Sequence, residues 1–105
     1  MKCIRQCINE KMKLSIIIPT YNEEKTIGEV IDKIKNLKLN VEKEIIAVDD
    51  GSKDRSYEIM KSKKGIKAIK HEKNKGKGGA IKTGIENMTG DLFIIQDADL
   101  ELDPD

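Results

Sequence analysis

Three acids at alternate positions, Asp97, Asp99 and Glu101, follow the apolar segment Asp91–Gln96. Alternate residues of an extended segment point the same way, so their oxygens can converge on one hard cation. Mg2+ or Mn2+ suits such a set, because these ions take a few carboxylates and complete their shell with phosphate and water. A cation held there would bridge a diphosphate and stabilise charge on a leaving phosphate. Asp49-Asp50-Gly51-Ser52 is a second acidic segment. Asp-Gly-Ser is ordinary turn and N-cap chemistry, but a carboxylate here can also accept hydrogen bonds from a base or ribose. A third segment, Asn74-Lys75-Gly76-Lys77-Gly78-Gly79, combines lysines with glycines that allow close backbone approach ahead of a helix. It suits an anion such as phosphate, or equally a solvated basic turn. It lacks the G-x-x-x-x-G-K-[ST] order, and no G-x-G-x-x-G follows the first strand, which disfavours a P-loop and a dinucleotide site.

Each segment follows a predicted strand. Leu14–Ile18 is a short β-branched run stopped by Pro19, and Glu44–Val48, Ile66–Lys70 and Asp91–Gln96 read the same way. Between them, Glu24–Leu37 carries Ile27, Val30, Ile31, Ile34 and Leu37 at the spacing of one helix face. A second helix, capped by Ser52 or Asp54, runs to about Lys63 with Gly65 as its stop. A third spans Gly79–Met88, with Ala80, Ile81, Gly84, Ile85 and Met88 on one stripe. These stripes are core faces rather than cofactor boxes. The order β-α-β-α-β-α-β without a hairpin signal predicts an α/β fold, a parallel sheet with right-handed crossovers and helices on both faces. Ligands of open parallel sheets bind beyond the carboxyl ends of the strands. Three of the four loops at that edge carry acids, which repel one another without a cation or hydrogen-bond donors.

Composition narrows the function classes. The 105 residues carry 20 basic and 19 acidic side chains, a net charge of +1, and 37% of them are charged. One domain is the most this length allows. The charge balance gives little steering toward nucleic acid, and 3% aromatics without Trp offer no stacking platform for bases. No apolar run reaches 18 residues, and Met1–Lys13 lacks the apolar core of a signal peptide, so a cytoplasmic protein is expected, with the membrane surface as an alternative. Cys3 and Cys7 read as free thiols, because no second Cys/His pair completes a metal site. His71, the only histidine, lies in a Lys-rich stretch and reads as a solvated loop residue.

The segments Ser15–Glu23, Val48–Asp54, Asn74–Ala80 and Gln96–Asp99, in this order at strand ends, closely resemble the family 2 glycosyltransferases. Within them the chain looks most like the dolichyl-phosphate (polyprenyl-phosphate) mannose or glucose synthase group. The resemblance covers Leu14–Asp105, leaving residues 1–13 as an N-terminal extension. It implies a Rossmann-like three-layer α/β/α arrangement, a partial GT-A fold with strand order 3-2-1-4. It also implies that Pro19, Tyr21 and Glu23 contact base and ribose, that Asp50 bonds the base, and that Asp97 and Asp99 are the D-x-D pair at metal and diphosphate. Glu101 would join the metal, Lys77 and Ala98 complete the nucleotide-sugar set, and Asp99 carries the catalytic assignment. The implied reaction is inverting transfer from a GDP- or UDP-linked sugar to a polyprenyl phosphate or another acceptor.

Two other readings compete. Family members continue for at least a hundred residues more, and Asp103-Pro104-Asp105 announces a helix that the sequence does not contain. The chain can therefore be a truncated, non-catalytic nucleotide-binding module whose uncovered fourth strand drives homo-oligomerisation. A nucleotidyltransferase also uses paired acids with Mg2+, but it wants a Gly/Arg/Lys-rich loop where this sequence has Pro19-Thr20-Tyr21-Asn22-Glu23.

Overall fold

Four strands and three helices alternate along the chain: β1 (Lys13–Thr20), α1 (Ile27–Asn36), β2 (Glu42–Asp49), α2 (Ser56–Ser62), β3 (Lys67–Lys70), α3 (Gly76–Asn87) and β4 (Leu92–Ile95). They come from a computed structural model that describes residues 12–99. The extension 1–11, both cysteines, Glu101 and the helix signal at Asp103-Pro104-Asp105 lie outside the described residues. The sheet is parallel throughout in the order β3-β2-β1-β4, the order the resemblance implies.

Burial explains the order. β1 and β2, the two longest strands, take the centre, where Ile16, Ile17, Ile18, Ile46, Ala47 and Val48 are at most 2% exposed. Strand side chains alternate between faces. Ile16, Ile18, Ile45 and Ala47 pack with Ile27, Val30, Ile31 and Ile34 of α1 and Met60 of α2. On the opposite face Ile46 and Val48 meet Ala80 of α3. Burying each of these isoleucines contributes about 1.5–3 kcal/mol. α3 comes closest at Gly84, where a Cβ would stand 2.5 Å from Ile17 Cγ2.

Several boundaries differ from the sequence reading for physical reasons. β1 continues through Pro19 to Thr20. The Ile17 carbonyl accepts from Gln96 N–H, so its side of the backbone faces β4. Pro19, two residues on, faces the same way beyond the last β1–β4 pair at Ile17 and Ile95, where no ladder donor is needed. α1 stops at Asn36, so Leu37 falls off its stripe and is 53% exposed. α3 begins at Gly76, three residues before the reading placed it. Glycine is a weak helix former and masks that start. β4 is apolar enough for a buried strand, yet all four of its residues are exposed.

The amino ends of the strands are clamped by one carboxylate. Glu44 Oε2 accepts from Ser15 Oγ and the backbone N–H groups of Thr89 and Gly90, tying β1, β2 and the turn before β4 together. Burial would raise the Glu44 carboxyl, but the hydrogen bonds from Ser15 and Thr89 and the nearby Lys67 overcome it and lower its pKa to about 2.

Candidate functional site

The carboxyl ends of all four strands meet at one edge. Asp50 N–H donates to the Thr20 carbonyl, His71 N–H to Asp49, and Gln96 N–H to Ile17, each at 2.8–2.9 Å. Parallel pairing thus continues one step past the strands and sets the loops side by side. Asp49 ends β2 fully buried, its Oδ2 accepting from Ser52 N–H at 2.9 Å to fold the Asp-Asp-Gly-Ser turn. Gly51 needs its missing side chain twice over. Its φ is +82°, and a Cβ would lie 3.1 Å from Asn74 N of the next loop.

The loop after β1 is laced to the loop after β2. Asn22 adopts the left-handed region (φ 54°) that Asn tolerates, donates its N–H to Ser52 Oγ and accepts from Lys53 N–H. Glu23 N–H donates to Ser56 Oγ and Glu24 N–H to Asp54 Oδ2. Ser52 therefore does not cap α2; its hydroxyl serves the neighbouring loop. Asp54 Oδ1 accepts from both Ser56 N–H and Ser56 Oγ at the start of α2. On the other side, Thr26 Oγ1 donates to the Ala98 carbonyl at 2.8 Å, anchoring the segment between the two acids to the start of α1.

His71 is where the sequence reading fails most clearly. It is 6% exposed, not solvated. Its Nδ1 lies 2.8 Å from Asp50 Oδ1 and its Nε2 lies 2.7 Å from Thr83 Oγ1. Only the backbone pairing of His71 with Asp49 swings the side chain inward beneath α3, and flanking lysines give no sign of it. Asp50 Oδ1 also accepts from Lys75 N–H at 2.8 Å, and Asn74 Nδ2 donates to the Asp50 carbonyl. Burial pushes the Asp50 carboxyl up, but hydrogen bonds from His71 and from the Lys75 and Gly76 N–H groups prevail and hold it below the ordinary carboxylate value.

Asp97 and Asp99 follow β4. Lys77, in the first turn of α3, reaches Asp97 Oδ1 at 2.8 Å. Asp99 Oδ1 is buried and has no hydrogen-bond partner among the described residues. A buried carboxylate oxygen without a partner, in a cleft that a second carboxylate also lines, is a donor set that fits a hard divalent cation. Among the described residues no group of three or more ligating side chains is assembled, and the third expected ligand, Glu101, lies outside them.

These loops enclose a cleft of about 240 Å3. Pro19, Tyr21, Glu23, Asp50, Lys77, Asp97, Ala98 and Asp99 all line it, so every described residue to which the resemblance gives a role borders one space. Thr20, Asn74, Gly76 and Ala80 complete the wall. His71 and Thr83 stand behind Asp50, outside the lining.

The family model for Glycosyl transferase family 2 matches residues 15–105. The dolichol-phosphate mannosyltransferase of Pyrococcus furiosus is 40% identical over 97 residues, covering 90% of this chain and 28% of that protein. Among solved structures, glucosyl-3-phosphoglycerate synthase from Mycobacterium tuberculosis, in complex with Mn2+, UDP and glucosyl-3-phosphoglycerate, aligns with a TM-score of 0.74 at 30% identity. That match covers 86% of this chain and 34% of the synthase. The mannosyltransferase PcManGT of Pyrobaculum calidifontis, in complex with GDP-Man and Mn2+, aligns with a TM-score of 0.75 at 26% identity over 86% of this chain and 28% of its own. The chain thus spans about a third of the length of these proteins. With a parallel 3-2-1-4 sheet, a cleft at the carboxyl ends of its strands and a match across nearly all of its sequence, the chain belongs to glycosyl transferase family 2.

Proposed function

We propose that the chain is the donor-binding part of an inverting, metal-dependent glycosyltransferase. The observation that carries this reading is the convergence of eight sequence-selected residues on a single cleft. In this reading residues 14–105 form the nucleotide-diphospho-sugar-binding part, preceded by an extension over residues 1–13. Pro19, Tyr21 and Glu23 line the base and ribose end, and Asp50 accepts a hydrogen bond from the base. Lys77 and the backbone at Ala98 face the diphosphate. Asp97 and Asp99, with Glu101, hold Mg2+ or Mn2+, which supplies positive charge to the departing nucleoside diphosphate. Asp99 carries the catalytic assignment.

The donor is a GDP- or UDP-linked sugar, in line with the nucleotides named for the two solved relatives. The acceptor is a polyprenyl phosphate, in line with the name of the Pyrococcus relative. A phosphate oxygen of the acceptor bonds to the anomeric carbon while the bond to the donor diphosphate breaks, with inversion. The electron pair leaves on the nucleoside diphosphate. A phosphate acceptor is already ionised, so no general base is needed. A lipid-linked acceptor places the protein at the cytoplasmic membrane surface. No helix among the described residues is long and apolar enough to cross a membrane.

Calorimetry with GDP and UDP, with and without Mn2+, tests the donor site. One of the two binds, more tightly with Mn2+, and Asp99→Ala abolishes the Mn2+ enhancement. A folded sample that binds neither overturns the reading.

A second reading rests on β4. Leu92, Phe93, Ile94 and Ile95 are 37–47% exposed on an edge strand. An exposed apolar edge is a template for strand pairing. In this alternative the 105-residue chain is an oligomerising nucleotide-binding module without turnover, and nucleotide binding with no sugar transfer or hydrolysis would favour it.

A further inference from the structure

Reading the cleft as a nucleotide site leaves one buried titratable side chain without a role. His71 sits on the far side of Asp50 from the cleft, with Nδ1 2.8 Å from Asp50 Oδ1 and Nε2 2.7 Å from Thr83 Oγ1. Its backbone is fixed as well, through the hydrogen bond from its N–H to the Asp49 carbonyl. These contacts define the proton's position. Asp50 is an ionised acceptor, so a bare ring nitrogen facing Oδ1 would set lone pair against lone pair. Nδ1 must therefore carry a hydrogen and donate it to Asp50. The Thr83 hydroxyl can donate to a neutral Nε2 or accept from a protonated one, so the arm to Asp50 is the same in both charge states.

We propose that His71 is a positioning residue: a buried bridge that holds the Asp50 carboxylate toward the nucleobase and ties it to α3, the helix that brings Lys77 to the other end of the cleft. The proposal rests on the nucleotide reading above and adds a residue that does not touch the ligand. Lys75 N–H secures the same Asp50 oxygen from the chain entering α3, so the loop after β2 and the first turns of α3 form one unit. The distance between the base acceptor and the diphosphate end is then set by His71 and Thr83 together with the Lys75 N–H. A buried carboxylate keeps one orientation only while its donors are in place.

The test compares variants of the chain by calorimetry, using GDP or UDP (whichever the unaltered chain binds) and, as a probe that lacks a base, inorganic pyrophosphate with Mn2+. His71→Ala weakens nucleoside diphosphate binding about tenfold, the cost of one lost hydrogen bond to a charged group. Pyrophosphate binding stays unchanged. His71→Asn restores nucleotide binding to within about threefold, because its amide N–H can occupy the place of Nδ1–H. Thr83→Val, which keeps the side-chain shape, gives a smaller loss with the same pattern. Imidazole nitrogen NMR of the unaltered chain shows the proton on Nδ1 and needs no variant to fold.

A merely structural His71 would instead lower thermal stability in both His71 variants and weaken nucleotide and pyrophosphate alike. That result overturns the proposal, as does wild-type affinity in His71→Ala, no recovery in His71→Asn, or a proton on Nε2 alone. If the unaltered chain binds pyrophosphate but neither GDP nor UDP, the nucleotide reading itself falls and takes this proposal with it.

Discussion

Two carboxylates at opposite ends of the sheet illustrate how position decides what an acid does. Glu44, at the amino ends, is satisfied on every side by Ser15, Thr89 and Gly90. Its pKa is lowered from 4.5 to about 2, so its contribution to stability is complete above pH 4.5 and is lost as the pH falls toward 2. That contribution is about 3 kcal/mol. Denaturant unfolding should show Glu44→Gln less stable at neutral pH, with the gap to the unaltered chain closing between pH 4.5 and 2; a constant gap would refute the clamp. Asp99, at the carboxyl ends, keeps a buried oxygen with no partner among the described residues, as Asp49 does at the end of β2. Lys77 is exposed and paired with Asp97. Lys77→Ala should weaken a nucleoside diphosphate about tenfold in calorimetry and leave a nucleoside without phosphates unaffected. The cleft-lining residues were legible because they lie in motifs placed at or just after the ends of apolar runs. Thr26, Ser56 and His71 were not, because each acts through a partner 33 or fewer residues away, or 72 in the case of Thr26 and Ala98, that only the folded register brings near.

At the scale of elements, glycines on one helix should respond in opposite directions. Gly84 sits against Ile17, so Gly84→Ala overpacks the sheet and should cost about 1–3 kcal/mol despite the better helix former. Among the described residues nothing lies within 4 Å of where a Cβ would go at Gly78, so Gly78→Ala should stabilise by about 0.5–1 kcal/mol. Thermal unfolding of the two variants checks both signs. The same contrast explains what the sequence hid. Periodicity located α1, whose Ile27, Val30, Ile31 and Ile34 are all buried. α3 packs through the small residues Ala80 and Gly84, and its first turn carries three glycines, so periodicity does not mark its start and places Ile85, which is 39% exposed, on the core stripe. Strand existence was clear from β-branched runs, whereas burial of β4 depends on neighbours that composition does not name.

At the scale of the described domain, the exposed edge strand β4 is the feature with consequences in solution. The isolated 105-residue chain should self-associate through it, and light scattering at rising concentration should show a dimer or larger species. A Phe93→Lys and Ile95→Lys double variant places charge on the edge strand and should restore a monomer. A wild-type monomer throughout the range would show the edge to be protected.

The central place of β1 also sets the order in which the molecule can assemble. β1 pairs with β2 across one helical crossover, but it pairs with β4 through residues 78 apart, from Leu14 and Leu92 to Ile17 and Ile95. Closing that longer loop carries the larger entropic cost and brings contacts of high sequence separation, which slow folding. The β1–β2 pair with its two helices should form first, and β4 should dock last. In native-state hydrogen exchange the amides of Ile16–Ile18 and Ile45–Val48 should then outlast those of Leu92–Ile95. The strand that delivers Asp97 and Asp99 is thus the last to arrive, and the acids come together only once the rest of the cleft is already built.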